Sequence, residues 1–126
     1  MSRQIGEVPT RVFSPGEIIF HEGDDPKGEA FIVHIGRVEI RKRIGGEDRL
    51  LRVLGKGDLL GELGLFGNTP RSASAVATDS VTLMVIPANR LDHLVRANPS
   101  LAVAIIRDLT TKLLAAENRP RHAEEG

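Results

Sequence analysis

The 126-residue chain contains no cysteine, no tryptophan and no tyrosine, and each absence removes a class of function. Without cysteine there are no disulfides, no cysteine-based zinc sites and no thiol nucleophile, a composition that suits a reducing compartment. The aromatic residues are Phe13, Phe20, Phe31 and Phe66, too few for the stacking platforms that hold single-stranded nucleic acid. Neither sign of charge is in excess: 17 basic and 17 acidic residues cancel. No overall field therefore draws the chain to nucleic acid or to an acidic membrane, and no nucleic acid binding by this chain alone is expected. Long apolar runs are missing too. None approaches the roughly 18 to 20 residues of a membrane helix, and the start, MSRQIGEVPT, lacks the apolar region of a secretory signal. A cytoplasmic protein with no membrane segment is the expectation.

What remains is the composition of one ordinary globular domain, long enough to bury a core without a staple. From Arg11 to Pro87 short apolar runs are separated by turn clusters: Ser14-Pro15-Gly16, Glu22-Gly23-Asp24-Asp25, Gly45-Gly46, Gly55-Lys56-Gly57-Asp58 and Asn68-Thr69-Pro70. These spacings leave no room for helices and predict seven or eight short strands, hence a sandwich, jelly roll or barrel. Gly36 to Arg41 alternates apolar and charged residues, the pattern of a strand with one wet face. Ala30–Ile35 and Val81–Ile86 are richer in β-branched residues and predict more buried strands. Gly45-Gly46 predicts a hairpin tip.

After Pro87 the period changes. Leu91, Leu94 and Val95 are spaced for a helix over 88–97. Asn98 before Pro99 reads as an N-cap followed by proline at the first helical position. Ala102, Ile106, Leu109 and Leu113 then form one stripe of a second helix, either core packing or a seam for dimerisation. The expected division is a lead-in over 1–10, a domain over 11–118 (strands 11–87, helices 88–118) and a polar tail over 119–126.

Residues 61 to 77, GELGLFGNTPRSASAVA, hold the chemistry. Gly61 permits close backbone approach, and Glu62 to Phe66 can make a turn or two of helix whose first N–H groups suit an anion. Arg71 returns beside that turn, followed by the small residues Ser72, Ala73, Ser74 and Ala75. A guanidinium, a serine hydroxyl and N–H donors suit one anion, while Glu62 offers an acceptor to a neighbouring hydroxyl. A bland alternative is an ion pair between Glu62 and Arg71.

Gly61-Glu62-Leu63 followed by Pro70-Arg71-Ser72-Ala73 resembles the phosphate-binding cassette of the cyclic nucleotide-binding domain family. Pro15-Gly16-Glu17-Ile18-Ile19-Phe20, Glu22-Gly23-Asp24, Phe31-Ile32-Val33, Gly36-Arg37-Val38 and Leu54-Gly55-Lys56-Gly57-Asp58 resemble the family's glycine-marked turns in the same order. The wording is closest to bacterial regulators of the catabolite activator type and is shared with regulatory subunits of cAMP-dependent kinase. The resemblance implies a mainly β fold with C-terminal helices: a β-roll (double-stranded β-helix, jelly-roll-like) of about eight strands plus flanking helices. It implies a ligand-binding regulatory module, not an enzyme, with no cofactor besides its ligand, cAMP in preference to cGMP. Arg71 and Ser72 would hold the cyclic phosphate, Glu62 the ribose 2′-hydroxyl, and the Gly61 and Leu63 main chain would lie by the sugar. The signal would pass to the C-terminal helices, which would also meet a second copy or an effector.

The chain departs from the family in its lid. The family often covers the base with an aromatic or polar residue from the last helix, and 99–118 has no aromatic residue. A lid must come from Leu109, Leu113 or Leu114, or from Thr110, Thr111 or Lys112; Leu109 and Leu113 are the first expectation. A β-roll interaction domain with a non-binding cassette is the alternative. A metal-dependent cupin is disfavoured because no two of His21, His34, His93 and His122 lie within ten residues of each other.

Overall fold

A computed structural model describes residues 3–5, 8–65, 67 and 69–117. Its strands are β1 (Arg3–Ile5), β2 (Val8–Phe13), β3 (Ile18–Phe20), β4 (Glu29–Ile35), β5 (Val38–Ile44), β6 (Glu47–Leu54), β7 (Leu59–Leu60), β8 (Ser74–Ala77) and β9 (Val81–Pro87). Two helices follow, α1 (Leu91–Ala97) and α2 (Pro99–Glu117). The strands form two antiparallel sheets, β1-β2-β9-β4-β7 and β3-β8-β5-β6. This is the β-roll with C-terminal helices that the sequence predicts. The roll starts earlier than expected, because β1 and the first half of β2 occupy the supposed lead-in, pairing Arg3 with Thr10 and Thr10 with Met84. The expected tail over 119–126 lies outside the described residues.

The dense apolar strands sit at the centre of the first sheet, which is covered on both faces. Along β4, Phe31 and Val33 face the interior of the roll, while Ala30 and Ile32 face the helices. Along β9, Val81, Leu83 and Val85 point inward, and Ile86 points outward with Leu94, Leu101 and Ile105. A period of two thus divides each strand between two cores. The second sheet is wetter. Its edge strand β6 is exposed along most of its length, and the β5–β6 hairpin closes through Gly45 and Gly46, both at positive φ, as a two-residue turn demands.

Helix α2 docks through Leu101 and Ile105, with Leu109 packed alongside. Each fully buried aliphatic side chain contributes about 1.5–3 kcal/mol. The docking stripe is shifted from the one expected: Ile106 and Leu113 are exposed, together with Val103 and Leu114. The helix is apolar on two sides, so spacing alone fits either side, and the cores beneath select Leu101, Ile105 and Leu109. Asn98 ends α1 as well as preceding α2, since its Nδ2 donates to the Leu94 carbonyl at 3.5 Å.

Candidate functional site

The cassette runs from the end of β7 through a short 3-10 turn, Glu62–Leu65, to the strand β8. Gly61 adopts φ +72, a conformation that any Cβ would strain. A Cβ built on Gly61 would stand 2.4 Å from Arg71 Nη1, and one on Gly64 would stand 2.8 Å from the Glu29 carbonyl oxygen. Both glycines therefore make room for one guanidinium and the chain around it.

Arg71 is held from every side. Its main chain is bracketed by the preceding turn: Gly23 N donates to the Arg71 carbonyl at 2.8 Å, and Arg71 N donates to the Asp24 carbonyl at 2.8 Å. Its side chain donates from Nη1 to the Gly61 carbonyl at 3.1 Å. From Nη2 it donates to the carbonyls of Pro26 at 3.2 Å and Glu29 at 2.9 Å. The guanidinium lies over the Phe20 ring, 4.3 Å from its centroid, a cation–π contact. Arg71 has no ion pair with a carboxylate, Glu62 included, among the described residues. Burial pushes the Arg71 pKa below its ordinary value, opposed by the fields of Glu29, Asp24, Glu62 and Asp25. The group nonetheless stays charged at any working pH, because arginine is effectively always protonated. The result is a buried cation neutralised mainly by carbonyl dipoles, with its Nε lacking a hydrogen-bond partner. Buried donors of this kind are rare and costly.

Glu62 is 3% exposed. Its Oε1 accepts from Lys112 Nζ of α2, and Lys112 also meets Asp108 at 3.1 Å. Glu62 Oε2 has no hydrogen-bond partner. Glu62 and Arg71 line the same pocket with Gly61, Ser72 and Lys112. Ser72 is exposed, and its carbonyl accepts from Lys42 Nζ at 2.6 Å. The main chain of Leu63 lies in the 3-10 turn. The lid residues are placed differently from the first expectation. Leu109 packs against the helix-side core and Leu113 is exposed, whereas Lys112 borders the pocket. At about 100° per residue, one helical step separates a side chain facing the cassette from one facing water.

Phe20, the shelf beneath Arg71, carries no site signal in the sequence. Gly23 is the turn residue expected, and its N–H also positions the Arg71 main chain. Neither carries a local signal, since both lie about fifty residues from the arginine. Chemically the pocket can take a ligand with an anion at one end and a hydroxyl at the other. Among the described residues no group of His, Cys, Asp or Glu is placed to hold a metal ion.

Comparison with known proteins agrees with this architecture. The family model for the cyclic nucleotide-binding domain matches residues 10–98. The cyclic AMP receptor protein of Thermus thermophilus is 35% identical over 109 residues, which are 85% of this chain and 50% of that protein. The crystal structure of the Thermus thermophilus catabolite activator protein matches with a TM-score of 0.74 at 32% identity, over 86% of this chain and 51% of that one. The regulatory domain of Toxoplasma gondii PKA, crystallised with cAMP, matches with a TM-score of 0.61 at 30% identity, over 67% and 32%. The chain spans about half the length of the bacterial relatives it matches. No helix among the described residues is long and apolar enough to cross a membrane. On the matched span, the fold and the cassette, this chain belongs to the cyclic nucleotide-binding domain family.

Proposed function

We propose that the pocket over 61–73 binds a 3′,5′-cyclic purine nucleotide, cAMP in preference to cGMP, and that the domain acts as a sensor with no catalytic role. The observation that carries this reading is a matched pair of unpartnered buried atoms in one pocket, the Nε donor of Arg71 and the Oε2 acceptor of Glu62. The cyclic phosphate carries one negative charge and the ribose one 2′-hydroxyl, which meets both needs at once. Arg71 takes the phosphate, Ser72 adds a donor at the rim, Glu62 accepts the hydroxyl, and the Gly61 and Leu63 main chain lies against the sugar. A charge-assisted hydrogen bond contributes about 1.5–3 kcal/mol net. Two or three, with burial of the base, reach the roughly 8 kcal/mol of micromolar binding. The preference for cAMP rests on the relatives, one called a cyclic AMP receptor and another crystallised with cAMP.

The signal passes to α2, which touches the pocket through Lys112 and exposes Val103, Ile106, Leu113 and Leu114 on its outer side. That outer side suits a second copy or an effector, and the setting is cytoplasmic. Titration calorimetry with cAMP and cGMP tests the reading: micromolar heat is expected with cAMP, and none with either nucleotide at hundreds of micromolar would overturn it. Arg71→Ala should weaken binding at least about tenfold, provided circular dichroism shows an intact fold. Unaltered affinity would refute the role given to Arg71. The second reading, an interaction domain with a non-binding cassette, draws on the ion pair that Lys112 already makes with Glu62. The same titration separates the two.

A further inference from the structure

Lys42 reaches the cassette from β5 without bordering the pocket itself. Its Nζ donates to the Ser72 carbonyl at 2.6 Å and lies 3.4 Å from Glu22 Oε2. Glu22 is tied in turn on both sides. Its Oε1 accepts from Arg43 N at 3.1 Å, and its own N–H donates to Ser74 Oγ at 2.8 Å. The turn after β3, the strand β5 and the approach to β8 therefore meet at one ammonium. The need for it follows from the register. Pairing of β5 with β8 runs from Val38 opposite Ala77 to Arg41 opposite Ser74, and Ser72 lies beyond its end. The Ser72 carbonyl is thus held by a side chain, where a ladder would use a main-chain N–H.

From these contacts we infer that Lys42 is a positioning residue for the anion end of the pocket. Ser72 and Ala73 both line that pocket. In a trans peptide the N–H points opposite to the carbonyl, so a Ser72 carbonyl fixed on Lys42 also fixes the Ala73 N–H, aimed away from Lys42. Without that tie, the two residues between Arg71 and β8 would have to be ordered when an anion binds, and such ordering costs affinity. Glu22 steadies the ammonium, whose stem is long and flexible. Lys42 thus serves the ligand through the main chain it holds, with no contact of its own. The inference rests on the nucleotide reading above for its ligand, while the hold on the peptide belongs to the chain alone and is measured without ligand.

The experiment compares wild type with Lys42→Met, which keeps the stem without the donor, and Lys42→Arg, which keeps a charged donor. In the absence of ligand, nuclear magnetic relaxation reports the backbone order of Ser72 and Ala73. Their order parameters should fall from about 0.85, a rigid backbone, to below about 0.6 in Lys42→Met, and recover in Lys42→Arg. In calorimetry with cAMP, Lys42→Met should bind about three- to tenfold more weakly, the worth of one hydrogen bond. Lys42→Arg should restore the affinity. The loss should persist at about 1 M salt, where the Debye length falls to about 3 Å. A loss that vanishes there would make Lys42 a distant charge and overturn the inference. Unchanged order in Lys42→Met, or lowered order with wild-type affinity, overturns it as well. If neither wild type nor variants bind cAMP yet the order falls in Lys42→Met, the hold on the peptide stands and the nucleotide reading falls. Should Lys42→Met fail to fold, Lys42→Ala takes its place under the same criteria.

Discussion

Replacing Gly61 with alanine strikes the seat of Arg71 without touching its charge. At φ +72 an alanine backbone is strained by about 1–2 kcal/mol. Its Cβ would also stand 2.4 Å from Nη1, about 1 Å inside ordinary van der Waals contact, so the guanidinium must retreat. Retreat breaks the Nη1 bond to the Gly61 carbonyl, a further loss of about 1–2 kcal/mol. The sum is about 3 kcal/mol. For a chain of this length 1 kcal/mol moves the melting temperature by about 4 °C, so Gly61→Ala should melt about 12 °C lower. A displaced guanidinium also loses its charge-assisted bond to the phosphate, weakening cAMP binding by about ten- to 150-fold. Gly57→Ala is the control: Gly57 also has positive φ, +89, but open space where the Cβ would go. It should show the strain alone, about 1–2 kcal/mol, with affinity unchanged. Thermal melts and calorimetry on both variants decide the matter. Equal affinity losses in the two, or a Gly61→Ala protein that melts and binds like wild type, would refute the reasoning.

The remaining predictions are shorter. Gly36 turns the chain between β4 and β5 at φ +95, and a Cβ there would stand 2.4 Å from the Ser80 carbonyl oxygen. Gly36→Ala should therefore cost about 3 kcal/mol or more in urea unfolding, or prevent folding. Leu94 is fully buried between α1, α2 and the first sheet, so Leu94→Ala should cost about 2–5 kcal/mol. Ile106→Ala, on the outer side of α2, should cost within about 0.5 kcal/mol; a larger loss would mean that this side is covered in solution. Glu22 is held below its ordinary carboxylate value of 4.5, first by the hydrogen bond its Oε1 accepts from Arg43 N and then by Lys42. Its contribution to stability is therefore complete above pH 4.5 and disappears as the pH falls through the lowered folded value. Glu22→Gln should melt slightly below wild type at pH 6 and converge with it in acid; a difference that grows in acid contradicts the assignment.

The strand framework was legible because its signals are local. Gly45-Gly46 imposes its own turn, and Val38 to Arg41 declares its wet face within four residues. The double-sided burial of residues 30–33 and of most of residues 81–86 also shows in their dense apolar content. Helix α2 was legible as a helix but not in its rotation: with Leu101, Ile105 and Leu109 on one side and Val103, Ile106 and Leu113 on another, hydrophobic spacing has two solutions. The apolar surface that β4, β7, β9 and α1 present beneath the helix chooses between them. At the site, the spacing of Gly61, Glu62 and Arg71 pointed to one pocket. Phe20 was hidden, and Lys112 was one of six lid candidates, for a physical reason: their contacts with Arg71 and Glu62 are made by the closing of the roll and the return of the last helix. The bland expectation of a Glu62–Arg71 pair fails because each side chain has other partners.

Three backbone carbonyls and an aromatic face fix the Arg71 side chain before any ligand arrives. Ordering a flexible side chain on binding ordinarily costs about 0.5–1.5 kcal/mol, and here folding has already met that cost. An arriving anion therefore finds a stationary donor and must itself supply the fit in angle. Flexible anions that depend on a side chain wrapping around them gain nothing from such a site. Rigid ones, whose charge is held at a set angle to a ring, gain the most, which makes the stiffness of the arginine a filter on the shape of the ligand as well as on its charge.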